Sequence, residues 1–272
     1  MKFKPLAFAA VILFLSCVVS AQDKPLILQT EDKWRLEAVF TPAQDGKYLI
    51  LLHDLGKNKK DFAAFTKTLK NNGYGYIALD LRGHGQSTNL DVQTNFKKTG
   101  EDNEFNQMTK DVNVAIAYLK KKGVKEENIY LLGAGLGANV AAASLPLHPK
   151  TGGVILLTPS LKARDVLTMV GIKDYKGPVL IGVSVADRKQ FMEASFIRNA
   201  AFLASGQGKV TFVTAYSLKG TEMLDRYLTP EVLQWLKTPQ LPEVLPDTKS
   251  SYGGTEKQDI EATTNMFKST AD

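Results

Sequence analysis

Cysteine is almost missing from this chain: 272 residues hold one, Cys17, inside the apolar stretch at the N-terminus. Without that stretch there is no disulfide, no thiol nucleophile and no thiolate metal site. Histidine is nearly as scarce, with His53, His84 and His148 the whole supply. Neither these nor the acidic residues fall at metal-ligand spacing, so no metal and no cofactor are expected. A run of one charge is also lacking. The 34 Lys and Arg and 28 Asp and Glu give a net charge of +6 but are interspersed, with no basic stripe carrying aromatics, so nucleic acid is not an expected partner. The one long apolar run, Leu6–Val19, is shorter than the ~20 residues a membrane span needs.

That run follows Lys2 and Lys4 and leads into Val19-Ser20-Ala21, the layout of a signal peptide over residues 1–21. Export is therefore expected, to a bacterial periplasm or the exterior. Phe14-Leu-Ser-Cys17 also fits a lipoprotein box, which would anchor the chain through a lipid on Cys17. Val18 and Val19 continue the apolar run past the cysteine, as an ordinary signal peptide would. With 44% hydrophobic residues, residues 22–237 can bury one sizeable core. From Thr238 the composition turns to Pro, Ser, Thr, Gly and charge, and residues 238–272 are expected to be a disordered tail.

After a short polar lead, Trp34–Phe40 alternates as a strand, and Tyr48–His53 is a continuous apolar run suited to a strand buried on both faces. Phe62, Phe65 and Leu69 recur at helical spacing before Asn72-Gly73. Tyr76–Asp80 reads as a strand, residues 88–103 as a surface loop at the mouth of a site, Met108–Lys122 as an amphipathic helix, and Asn128–Leu132 as a strand. Strands at Gly153–Leu157, Pro178–Val183 and Val210–Ala215 follow, with a short helical piece at Arg164–Val170 and helices at Lys189–Leu203 and Met223–Leu236. Strands alternating with helices predict an α/β protein with a mainly parallel sheet covered on both faces.

Tyr130-Leu-Leu-Gly-Ala-Gly-Leu-Gly-Ala-Asn139 is the stretch around which the rest is arranged. It reads as strand, glycine-dense turn and helix start, the setting of a G-x-S-x-G nucleophile elbow, filled here as Gly133-Ala-Gly135-Leu-Gly137. Together with Leu51-Leu-His-Asp-Leu-Gly56 and Ala78-Leu-Asp-Leu-Arg-Gly-His-Gly-Gln-Ser87, it resembles the α/β-hydrolase superfamily. Within it the chain looks like the small, nearly lidless dienelactone-hydrolase-like or acylaminoacyl-peptidase-like branch, over about residues 30–237. The resemblance implies an α/β-hydrolase fold with a minimal lid and a triad in the order Ser, then Asp or Glu, then His.

The chain departs from that pattern at two of the three triad positions. Gly135 stands at the nucleophile position and offers no attacking atom. Asp187, in Val185-Ala-Asp-Arg188, matches the acid position. Lys219, in Lys219-Gly-Thr-Glu-Met-Leu224, stands where the family has histidine. A lysine is cationic near neutral pH and favours an ion pair with Asp187 over acting as a base, so a Lys219–Asp187 bridge is predicted. The resemblance also implies an oxyanion hole, with backbone N–H groups of Leu136 and of Asp54 or Leu55 pointing into a small concavity that suits an anion; the charge of Asp54 works against that use. The plainer reading of His53 and His84 is hydrogen-bonded loop residues, and Ser160 and Ser184, expected at strand ends, have no neighbouring base in sequence.

The expectation is an exported hydrolase-fold protein without serine-hydrolase catalysis, acting by binding an unknown small ligand, an anionic one included, or a protein partner. The alternative is a rearranged-site or serine-independent esterase of the same fold.

Overall fold

The computed structural model describes residues 22–100 and 102–239; the expected signal peptide and nearly all of the expected tail lie outside them. Its elements in chain order are β1 (Lys24–Gln29), β2 (Arg35–Thr41), β3 (Tyr48–Leu52), α1 (Ala63–Asn71), β4 (Gly75–Leu79), α2 (Thr109–Lys121), β5 (Ile129–Ala134), α3 (Leu136–Ser144) and β6 (Gly153–Leu157). Then come β7 (Lys162–Ala163), β8 (Val166–Leu167), α4 (Met169–Ile172), β9 (Val179–Ser184), α5 (Arg188–Ser205), β10 (Val210–Ala215), α6 (Thr221–Met223) and α7 (Thr229–Lys237), the last two joined by a π-helical turn. Eight strands form one sheet in the order β1-β2-β4-β3-β5-β6-β9-β10. The β1–β2 and β2–β4 pairs are antiparallel and the other pairs are parallel.

Strands β4, β5, β6 and β9 are buried at every residue, because helices cover both faces and each strand reads as a continuous apolar run. On one face Ile50, Leu52, Leu131 and Ile181 pack with Ile116 and Leu119 of α2, the α3 alanines and Ile197 of α5. On the other, Leu49, Leu51, Leu132 and Leu180 pack with Phe65 and Leu69 of α1 and with Val232 and Trp235 of α7.

Two expectations need correction. The polar lead contains strand β1, an edge strand with only Leu28 buried; it forms by pairing with β2 and not by burying an apolar face. The segment expected as a helix over Arg164–Val170 is instead a tight antiparallel hairpin, β7–β8, followed by the short α4.

The loops at the C-terminal ends of the strands are held by buried charge. Arg82 is fully buried; its backbone N–H and Nε each donate to Asp111 of α2 at 2.8 Å, and its guanidinium reaches Asp32 and Glu104. These carboxylates hold the guanidinium protonated. The loop after β4 is thereby clamped to α2, and breaking such a buried cluster from one side is costly, about 3–5 kcal/mol.

Candidate functional site

Gly135 occupies the single-residue turn from β5 into α3, with φ 52° and ψ −118°. Glycine reaches this left-handed region at no steric cost. Next to it Gly137 lets α3 close onto β3, since a methyl group at 137 would overlap the Leu52 carbonyl. Leu136, the first residue of α3, points its N–H out of the turn, where no helical carbonyl can receive it.

That N–H is not open to solvent or ligand. It donates to Oδ1 of Asp54 at 2.8 Å, and the same oxygen accepts the N–H of Leu55 at 2.7 Å. The sequence placed Leu136, Asp54 and Leu55 around a free concavity; the structure brings all three together with the concavity filled. A carboxylate accepting two backbone N–H groups at a helix N-terminus is favoured by the hydrogen bonds and by the helix dipole. The space it uses is the space a side chain at 135 would need, because a Cβ there would collide with the Asp54 carboxyl group.

The other two positions lie beside this turn. Lys219 Nζ is 2.7 Å from Asp187 Oδ2, the ion pair anticipated from the sequence. It is a surface pair, with the Lys219 side chain 58% exposed, and such pairs contribute little. Hydrogen bonding from Lys219, then from the Gln190 N–H, holds the Asp187 carboxyl below its ordinary range. Asp187 also caps α5 through that second bond, at 3.1 Å. The Lys219–Gly220 turn reaches the elbow through Thr158: the Gly220 N–H donates to Thr158 Oγ1 at 3.1 Å, and Gly135 N–H donates to the neighbouring Leu157 carbonyl at 2.9 Å. Thr158 has φ 49°, strained for a β-branched residue, and sequence reasoning gave no sign of it.

His53 and His84 lie side by side behind the turn, ring centroids 5.0 Å apart. His53 Nδ1–H donates to the Asp54 carbonyl at 2.8 Å and its Nε2 accepts the Leu81 N–H at 3.0 Å, so both nitrogens serve the loops. Burial pushes its pKa down to about 4. His84 donates from Nδ1 to the Arg82 carbonyl, while its buried Nε2 has no partner among the described residues. His148 is buried at the end of the turn that follows α3. Ser160 lies past the end of β6 and is bonded to Asn139, and Ser184 is buried with its Oγ receiving the Ala186 N–H. Neither serine has an imidazole partner among the described residues.

Two cavities flank the elbow. An open one of about 510 Å³ is lined by Ser184, Asp187, Arg188, Lys189, Ser217 and Lys219. A second, of about 300 Å³, lies between Leu55, the loop bearing Phe96 and Lys98, Phe105, and Arg164 of the hairpin.

A mainly parallel sheet with its sharp strand–helix turn after β5 and the loops of β3, β9 and β10 gathered round it defines an α/β-hydrolase fold. Residues 44–195, more than half of the chain, match the family described as serine aminopeptidase, S33. The protein belongs to that family. The match runs through the elbow and Asp187 and stops before Lys219. Among curated proteins, the protein phosphatase methylesterase 1 of Schizosaccharomyces pombe is 31% identical over 121 residues, 43% of this chain. The chain spans about a third, 33%, of that relative's length. Similar solved structures include an esterase of Pyrococcus furiosus, with TM-score 0.67 and 16% identity, covering 80% of this chain and 91% of that one. An esterase from Exiguobacterium antarcticum has TM-score 0.59 and 16% identity, with 79% and 100% covered. At such identities the structural likeness speaks for the fold alone.

Proposed function

We propose that this is an exported hydrolase-fold protein that binds a ligand or partner at the old catalytic mouth without hydrolysing it. The observation that carries this reading is the Asp54 carboxylate accepting both the Leu55 and the Leu136 N–H. Acyl transfer needs such donors free to receive the negative oxygen of a tetrahedral intermediate. Here they are already bonded to a fixed negative charge, which also repels a second one. Gly135 supplies no hydroxyl, and Lys219, paired with Asp187, supplies no imidazole. The named esterases among the similar proteins favour the second reading, an ester hydrolase with a rearranged site.

The test is hydrolysis of p-nitrophenyl acetate and butyrate by the mature protein. The wild type is expected to be silent. Gly135→Ser with Lys219→His is expected to stay silent while Asp54 remains, and activity is expected only when Asp54→Gly is added. Wild-type turnover abolished by Asp187→Ala would overturn the binding reading in favour of a rearranged enzyme.

A further inference from the structure

The smaller cavity lies between Leu55 and the β7–β8 hairpin. Phe96 and Phe105 are buried, with rings at 5.3 Å and edge to face, and Leu55 closes the side towards the elbow. Gln93 and Thr94 add neutral polar groups, and the remaining two lining residues, Lys98 and Arg164, are both cations. No carboxylate lines it, and neither cation is paired with one among the described residues. Nearby acids are engaged elsewhere: Asp165 with Lys162 and the Gly100 N–H, Asp102 with Lys97.

Arg164 is held there against its own backbone preference. It and Asp165 form the two-residue turn between β7 and β8 with φ 52° and 64°, both positive. Such turns favour Asn-Gly and similar pairs, and a bulky residue at positive φ is strained. The turn is tied down by the Asn103 side chain, which donates to the Arg164 carbonyl at 2.9 Å. The guanidinium lies over the Phe105 ring, 5.8 Å from its centroid. The arrangement combines a strained arginine, the Phe105 ring beneath it and a cavity of about 300 Å³ whose two charged lining residues are cations with no carboxylate partner among the described residues. Its volume is at the lower end for a small-molecule pocket, and its lining mixes the apolar Leu55, Phe96 and Phe105 with polar and cationic groups.

We propose that this cavity binds a small flat apolar carboxylate, its ring on Phe96 and Phe105 and its charge on Arg164. The proposal deepens the binding reading above by naming the ligand class. A guanidinium presents paired donors matched to a carboxylate, and the edge-to-face Phe96 and Phe105 rings beside it offer apolar contact to a ring held there. Asp54, on the far side of Leu55, excludes the ligand's anion from the elbow and leaves Arg164 as its anchor.

The experiment is isothermal titration of the mature protein with 2-naphthoate and with its neutral counterpart 2-naphthamide at low salt. The acid is expected to bind one site at least ten-fold more tightly than the amide. Arg164→Asn, with its fold checked by circular dichroism and chosen because asparagine tolerates a positive φ, is expected to abolish that preference, and Arg164→Lys to retain part of it. Equal affinities, a preference that survives Arg164→Asn, or no binding of either compound at millimolar concentration would overturn the proposal. Neither compound has an ester bond, so the outcome is independent of the p-nitrophenyl ester assay: turnover there sinks the binding reading alone, and equal affinities of the wild type here sink the ligand class alone.

Discussion

A methyl group added at position 135 would enter the Asp54 carboxylate, so the two positions are energetically coupled although 82 residues separate Asp54 from Leu136. In the wild type, Gly135→Ala should suffer the left-handed penalty of about 1–2 kcal/mol together with overpacking of about 1–3 kcal/mol. In an Asp54→Ala background only the first should remain. Asp54→Ala alone should lose about 1 kcal/mol, as removal of a helix cap does. Urea unfolding of the four proteins measures the coupling, expected at 1 kcal/mol or more; strictly additive values would show that Asp54 does not occupy the space of a side chain at 135.

At the scale of elements, His53 joins the loop after β3 to the loop after β4, through the Asp54 carbonyl and the Leu81 N–H. Its neighbours are His84, Asp80 and Lys59, and burial outweighs them all in lowering its pKa from 6.5 to about 4. The folded pKa is below the unfolded one, so the neutral ring contributes stability that is fully present above pH 6.5 and is lost as pH falls towards 4. At 1.36 kcal/mol per unit the loss approaches roughly 3 kcal/mol at most. His84, whose pKa burial also lowers, acts in the same direction. The unfolding midpoint in urea is therefore expected to fall between pH 7 and 4.5, and to fall less steeply in His53→Gln. An unchanged slope in that variant would remove His53 as the cause.

Over the whole molecule, the expected export predicts a mature chain beginning at Gln22 when the full chain is produced in a bacterial host, read by intact mass. A lipid-modified N-terminus at Cys17 would instead make it a lipoprotein, and an uncleaved Met1 would end the export proposal. The central strands were legible in the sequence because parallel strands covered on both faces must be apolar throughout: Gly153–Leu157 falls where expected and Val179–Ser184 within one residue of it. The edge strand β1 was not, since its structure comes from hydrogen bonds to β2 and hardly from burial. The β7–β8 hairpin was hidden by two-residue arms and by Arg164-Asp165 at a turn that usually carries asparagine and glycine. The positions of Gly135, Asp187 and Lys219 could be read from motif order. The fold-back of Asp54 onto Leu136 could not, because it depends on what is missing at a residue far away in the chain.

The Asp54 carboxylate also bears on reversibility in evolution. A hydroxyl-bearing side chain placed at 135 alone meets the Asp54 carboxylate and is expected to cost stability before any chemistry is possible. Removing Asp54 alone uncovers two backbone donors with no nucleophile beside them. Under the binding reading a working arrangement needs positions 54, 135 and 219 to change together, so single substitutions at 54 or 135 are expected to be unfavourable on their own and the site is expected to show sign epistasis.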